Sequence, residues 1–239
     1  MSAYLGYLAT LERVRSVEPR VLATTIGRQR AEFIRRGWAI EDGYLTHVMV
    51  PFRDSEEEVE ADVDEDAGVF RYRSPQQRSR IIERPLADIA LYRLRVDAWL
   101  DNLSGLIGIE PRHLPRQRAR VPDHLWHLGD MRIAGTHDFA PVFVGRLWER
   151  APDAEVTSVL CDAIWPRGGV LLRHRPTNSG LPRDHVMRDL GDFIRVDDGQ
   201  DVFDASAFDR VLRGYVTPSG EPEPLQFFQG NRLKLPHFT

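Results

Sequence analysis

The chain has 239 residues, of which 42% are hydrophobic and 28% are charged, and its formal net charge is −4 at pH 7. This composition is typical of a globular protein with a sizeable core, and it excludes a chain that is disordered throughout. The length allows one large domain or two small ones, and no apolar run is long enough to predict a transmembrane helix.

The first 50 residues predict two helices and a β-hairpin. Apolar residues at helical spacing indicate one helix over residues 3–15 and a second over residues 19–36. Arg30 is an exception, because it lies within the apolar arc of the second helix. Residues 38–50, with Gly43 near their centre, have the alternation and the turn that are typical of a hairpin.

The sharpest change in composition falls at residues 54–66, where nine of 13 residues are Asp or Glu. Charges of one sign at this density repel one another, so we expect a solvated, mobile loop. A strand pattern resumes at residues 68–73, and residues 85–106 predict a long helix. Residues 111–122 contain three prolines and four arginines, and we interpret them as a linker between two modules.

The second half of the chain predicts a small sheet with helices. A strand at residues 141–148, a helix at 154–164 and a buried strand at 169–173 form a β-α-β unit. A short helix over residues 205–212 and a last pair of strands over 225–235 follow. We therefore predict a mixed α/β (α+β) fold. Its two modules are a helical one with a hairpin at residues 1–110 and a small mixed-sheet one at residues 123–239.

The order of elements in residues 3–50 favours binding to nucleic acid. A winged helix contacts DNA through a polar, arginine-bearing helix that is followed by a hairpin, although it normally has three helices before the hairpin. The side chains of the second helix that can hydrogen-bond phosphates or base edges are Thr24, Arg28, Gln29, Arg35 and Arg36. The alternative is an ordinary amphipathic helix, packed on a sheet, whose charges are solvated.

The histidines and aspartates of residues 121–138 suggest a second hypothesis. On a helix over residues 123–130, His124, His127 and Asp130 would form one stripe, and these side chains suit zinc, iron or manganese. A metal ion with an open coordination position would activate water, as in a metal-dependent hydrolase. The alternative is that these histidines are structural or exposed, because metal-binding pairs on helices are more typically four residues apart.

The motifs that the sequence lacks narrow the possible chemistry. There is no G-x-G-x-x-G, no P-loop, no G-x-S-x-G and no H-E-x-x-H. Lys234 is the only lysine, so any Schiff-base mechanism has to use it, and Cys161 is the only cysteine, which excludes an intrachain disulfide. We expect no cofactor and a reducing, cytoplasmic compartment.

These observations favour a non-catalytic regulatory or nucleic-acid-binding protein whose contact surface is the helix and hairpin of residues 19–50. Two alternatives stay open: the metal-dependent hydrolase, and a protein-only adaptor subunit that docks through the acidic loop. The expected partners are nucleic acid, another protein or a second copy of the chain, and not a membrane.

Overall fold

A computed structural model describes residues 2–14, 20–146, 152–161, 168–174, 181 and 185–214. These residues form six α-helices and fifteen strands, so the predicted mixed α/β class is confirmed. Within these ranges, no helix combines the length and the apolar character that crossing a membrane requires.

The predicted first helix is confirmed as α1 (Ala3–Arg13). Its N-terminus is capped by Ser2, whose hydroxyl accepts a hydrogen bond from the Tyr4 backbone N–H. Tyr7, Leu8 and Leu11 recur at helical spacing and are buried, so the apolar face that the sequence predicts is the face that packs.

The continuous helix predicted over residues 19–36 is wrong. The described part of this range contains four elements: β1 (Arg20–Leu22), α2 (Ala23–Ile26), a 3-10 turn (Gly27–Gln29) and α3 (Arg30–Arg35). Gly27 has a φ of +64°, in the left-handed region that interrupts a right-handed helix. β1 pairs with a strand distant in sequence, β8 (Ala90–Leu94), which takes up backbone groups that a helix would have bonded internally.

Two further predictions are wrong because strands pair with partners that are distant in sequence. The helix predicted over residues 85–106 is β8 in its first half and α4 (Val96–Ile107) in its second half. The hairpin predicted over residues 38–50 does not form, because β2 (Ala39–Tyr44) pairs with β8 and not with the strand that follows it. The result is a three-stranded antiparallel sheet in the order β1-β8-β2.

Residues 47–85, which we call the arm, contain five strands: β3 (His47–Phe52), β4 (Ser55–Glu60), β5 (Asp62–Asp64), β6 (Val69–Arg73) and β7 (Ile81–Pro85). The strand predicted at residues 68–73 is thus confirmed, whereas the acidic loop predicted at 54–66 is wrong. β4 pairs with β3, and β5 pairs with β6. Ala61 and Val63 contribute to a small separate core with Phe70, and this burial offsets the repulsion between the carboxylates.

The second half of the chain forms a five-stranded mixed sheet. Its strands are β9 (Ala119–Val121), β10 (Leu125–Arg132), β11 (Phe139–Gly145), β12 (Val170–Arg173) and β13 (Val186–Asp189), and their order is β13-β12-β11-β10-β9. β11 and β12 are parallel and flank α5 (Pro152–Cys161) in sequence, which confirms the β-α-β unit. Val156 and Leu160 of α5 pack on one face of the sheet.

The chain continues as a hairpin of β14 (Ile194–Asp197) and β15 (Gln200–Phe203), followed by α6 (Ala205–Gly214). The helix predicted at residues 205–212 is therefore confirmed. The strands predicted at residues 225–235 lie outside the described residues.

The main core contains residues from before and after the linker predicted at residues 111–122. Buried side chains from the first 110 residues, among them Tyr7, Trp38 and Trp99, share one cluster with Val142 and Phe208 from the second half. The boundary between the modules 1–110 and 123–239 stays a prediction, which the unfolding experiment described below tests.

Candidate functional site

The five residues predicted to contact nucleic acid have different surroundings. Thr24 and Arg28 are exposed and line a shallow cleft beside Asp88. Gln29 is half-buried, and its Nε2 donates a hydrogen bond to the Ser2 carbonyl at 3.3 Å. Arg35 is exposed and forms an ion pair with Glu32, with 2.6 Å between its Nη2 and Oε1.

Arg36 joins distant parts of the chain. Its guanidinium lies 5.2 Å from the ring centroid of Tyr4 and 4.9 Å from that of Trp38. It also forms ion pairs with Glu32 and with Asp201 of β15, the latter at 2.8 Å. Hydrogen bonds from Arg35 and Arg36 hold the pKa of Glu32 at about 2. The guanidinium of Arg36 is therefore engaged in contacts within the fold and is not free to contact DNA.

These placements correct the winged-helix prediction for residues 3–50. In the described part of this segment, Gly27 divides the recognition helix and β2 and β3 do not pair with each other. Arg30, which the sequence places within an apolar arc, is half-buried with its guanidinium 5.9 Å from the ring centroid of Tyr92. Of the five candidates, Thr24 and Arg28 keep an exposure that suits contact with a ligand.

The three residues of the metal hypothesis lie on a turn and a strand, and not on a helix. His124 precedes β10, whereas His127 and Asp130 lie within it. Among the described residues, no group of three or more His, Cys, Asp or Glu side chains is arranged to hold a metal ion. The metal hypothesis at His124, His127 and Asp130 therefore has no ligand cluster to support it among the described residues.

His127 and Asp130 do form a pair, and a β-bulge is the reason. Residues three apart in a regular strand point to opposite faces, but the pairing register of β10 shifts between His127 and Gly129. The shift brings His127 Nε2 to 3.1 Å from Asp130 Oδ1. Arg120 Nη2, which can only donate, lies 3.3 Å from His127 Nδ1. The proton of His127 is therefore assigned to Nε2, which donates to Asp130.

Asp130 also lines a cleft of about 450 Å³ between the end of α4 and the β10–β11 hairpin. Gly129 holds one wall of this cleft in place, because its φ is +144° and a Cβ there would lie 2.8 Å from the His113 carbonyl oxygen. The His113 ring packs against Phe139, with 4.6 Å between the ring centroids. Sequence reasoning missed this cleft because it treated residues 123–130 as helical.

The arm carries a charge equal to that of the whole chain. Residues 47–85 contain ten Asp or Glu and six Arg, and the rest of the chain contains 26 of each sign. The formal charge of −4 is therefore located in 39 residues. The register of β3 and β4 places Glu56, Glu58 and Glu60 on one face of their hairpin, beside Met49, which is 57% exposed.

A second cleft, of about 550 Å³, lies between β4 and the β6–β7 hairpin. Its lining carries charges of both signs. Glu57, Glu60 and Asp62 come from β4 and β5, Arg73 and Arg78 come from β6 and the turn that follows it, and the apolar part of the lining consists of Val59, Tyr72, Pro75 and Ile81. The alternation of Val59, Ala61 and Val63 was the sequence signal for a strand here, and the density of acids obscured it.

Comparison with known proteins adds no further information about the site. No family model, no curated protein and no solved structure matches this chain.

Proposed function

We propose that the protein is a non-catalytic adaptor that docks a positively charged, extended segment of another protein on the arm. The observation that carries this proposal is the group of three carboxylates, Glu57, Glu60 and Asp62, that lines the arm cleft. In the described part of the chain, no ion pair involves Glu57, Glu60 or Asp62. Three carboxylates without ion-pair partners in one cleft attract a ligand that brings cations.

The backbone of β4 supports an extended ligand. β4 is the outer strand of a two-stranded sheet, so its second edge has no strand partner among the described residues. Free strand edges accept peptides by main-chain hydrogen bonding, while neighbouring pockets select the side chains. Charged residues on such an edge also prevent indiscriminate pairing, and four of the six β4 residues are Glu.

The other residues that line the arm cleft determine which peptide sequences it prefers. Ile81 is 62% exposed and contributes an apolar contact for an aliphatic side chain. Arg71 is already neutralised by Asp64 and Glu83, each at 2.9 Å. Arg73 and Arg78 have no ion pair within the described ranges and would repel a uniformly cationic segment, so the preferred ligand alternates lysine or arginine with apolar residues.

A titration with a synthetic peptide tests the proposal. The probe is an acetylated Lys-Val-Lys-Val-Lys peptide, and the readout is the chemical shifts of backbone amides in the ¹⁵N-labelled protein. We expect saturable shifts at Val59, Tyr72 and Ile81, and weaker binding at higher salt. The matched pair of variants is Glu57→Lys with Glu60→Lys, and Glu65→Lys with Asp66→Lys.

The two double variants change the net charge equally, but only the first alters the cleft. We expect the first to abolish the peptide-induced shifts and the second to retain them. Equal loss of the peptide-induced shifts in both variants would show that long-range charge alone attracts the peptide. Shifts confined to other parts of the protein would contradict docking at the arm.

Nucleic-acid binding is the second candidate, and the exposure of Thr24 and Arg28 favours it. The test is a gel-shift titration with mixed duplex DNA fragments at about 50 mM salt, where phosphate contacts are strongest. Arg28→Ala should weaken binding, whereas Arg35→Ala, which removes a side chain already paired with Glu32, should not. Absence of any shift would eliminate this candidate.

A further inference from the structure

We propose that the cleft beside Asp130 binds a small zwitterion, namely a free amino acid with an apolar side chain. This proposal concerns a site remote in sequence from the arm and does not depend on the adaptor function. The volume of about 450 Å³ lies within the range of small-molecule sites, which is about 300–1,000 Å³.

The charges that line the cleft determine the class of ligand. Glu110 and Arg112 neutralise each other, with 2.7 Å between Oε2 and Nε. The other two residues of permanent charge in the lining are Asp130 and Arg132, one of each sign. A ligand with one ammonium group and one carboxylate group satisfies both, whereas a simple amine or a simple acid leaves one of them without a partner.

The spacing of Asp130 and Arg132 suits a compact ligand. They are two positions apart on β10, so they share a face and lie about 7 Å apart along the strand. One hydrogen bond holds each side chain and leaves its other polar atoms available to a ligand. Asp130 Oδ1 accepts from His127 Nε2, and Arg132 Nε donates to the Thr136 carbonyl at 3.0 Å. Such preorganisation lowers the entropic cost of binding.

The rest of the lining favours an apolar ligand side chain. Ile109, Met131 and Phe139 contribute apolar surface to the cleft, and the His113 ring packs on Phe139. His113 Nε2 is buried and has no hydrogen-bond partner among the described residues. A buried polar atom without a partner destabilises the protein, and a ligand amine or carboxylate that reaches it recovers part of that loss.

Calorimetric titration of the full-length protein tests the site. The probes are L-phenylalanine, 2-phenylethylamine, which lacks the carboxylate, and 3-phenylpropanoate, which lacks the ammonium group. We expect L-phenylalanine to bind saturably and each analogue to bind about tenfold more weakly or worse, because each loses one charge-assisted contact. Equal affinity for all three, or no saturable binding of L-phenylalanine, L-leucine or L-methionine, would overturn the proposal.

Two variants localise the binding. Asp130→Asn keeps a side-chain oxygen for His127 but removes the charge, and Arg132→Gln alters an exposed residue, so both are expected to fold. Each should weaken L-phenylalanine binding by about tenfold or more. The controls are Asp197→Asn and Arg195→Gln on the exposed β14 strand, and these should leave the affinity unchanged. Binding that persists unchanged in both cleft variants would also overturn the proposal.

Discussion

Glu32 shows how a charged residue in the first turn of a short helix stabilises the fold. Its carboxylate accepts hydrogen bonds from both Arg35 and Arg36, and Arg36 in turn lies against Tyr4 and Trp38. Arg36, which the sequence places on a DNA-binding face, therefore fastens α3 to α1 and to β15, and Glu32 holds its guanidinium in place.

We expect the contribution of Glu32 to depend on pH in a defined direction. Its pKa is lowered from 4.5 to about 2, so the folded state holds the carboxylate charged where the unfolded chain begins to protonate it. The stabilisation is therefore fully present above about pH 4.5 and is lost as the pH falls towards 2.

The side chain is one-third exposed, so screening reduces the effect, and we expect Glu32→Gln to cost about 1 kcal/mol at pH 7. Denaturant unfolding of both proteins at pH 7 and near pH 2 measures this difference. A gap between the two proteins that does not narrow at low pH would contradict the assigned role.

Gly129 and Gly27 allow a matched test of steric restraint. Both have positive φ, but a Cβ at Gly27 meets nothing within 4 Å, whereas a Cβ at Gly129 would lie 2.7 Å from Ile109 Cγ2 and 2.8 Å from the His113 oxygen. We expect Gly27→Ala to lower the free energy of unfolding by about 1 kcal/mol, from backbone strain alone. Gly129→Ala should cost more, about 3 kcal/mol, because the clash also displaces the wall of the cleft. Chemical denaturation of the two variants measures both values, and equal costs would show that the wall moves freely.

At the scale of elements, the arm shows that an acidic segment can form strands when alternate residues are apolar. Ala61 and Val63 face the small core around Phe70, while the glutamates of β4 stay in water. The charges on β4 protect a free edge, and its one apolar residue, Val59, pairs with Val48 of β3.

Replacement of residues 55–65 by a flexible Gly/Ser linker tests this account. A solvated loop would tolerate the change, but strands β4 and β5 supply partners for β3 and β6, so we expect the arm to lose its structure. Hydrogen exchange should show lost protection of the β6 and β7 amides and unchanged protection of β10 to β12. Retained protection of β6 would indicate that the acidic strands are dispensable.

At the scale of the whole molecule, the described residues share a main core that crosses the linker predicted at 111–122. Phe208 of α6 is fully buried in the same cluster as Tyr7 and Trp99. Side chains separated by about 200 residues therefore depend on one another for burial, and we expect the protein to unfold in a single cooperative transition.

Phe208→Ala tests the shared core. We expect the free energy of unfolding to fall by about 3–5 kcal/mol. Hydrogen-exchange protection should weaken in α1 and α4 as well as in α6. Phe139→Ala is the matched control, because Phe139 is 38% exposed and its truncation should cost less. Two resolved transitions, with the change confined to the second half of the chain, would instead support separate modules at residues 1–110 and 123–239.

The sequence by itself determined the mixed α/β class and the elements whose patterns are complete within a short window. The amphipathic faces of α1 and α6 and the buried run of β12 are examples, because local periodicity and burial agree there. Only the tertiary structure decided the conformation of residues 20–36, 54–66 and 85–106. In these segments, pairing with distant strands and the positive φ of Gly27 outweighed local propensity. The two clefts were also decided by the tertiary structure. A bulge in β10 and the placement of β4 beside β6 bring together residues whose spacing in the sequence predicts no contact.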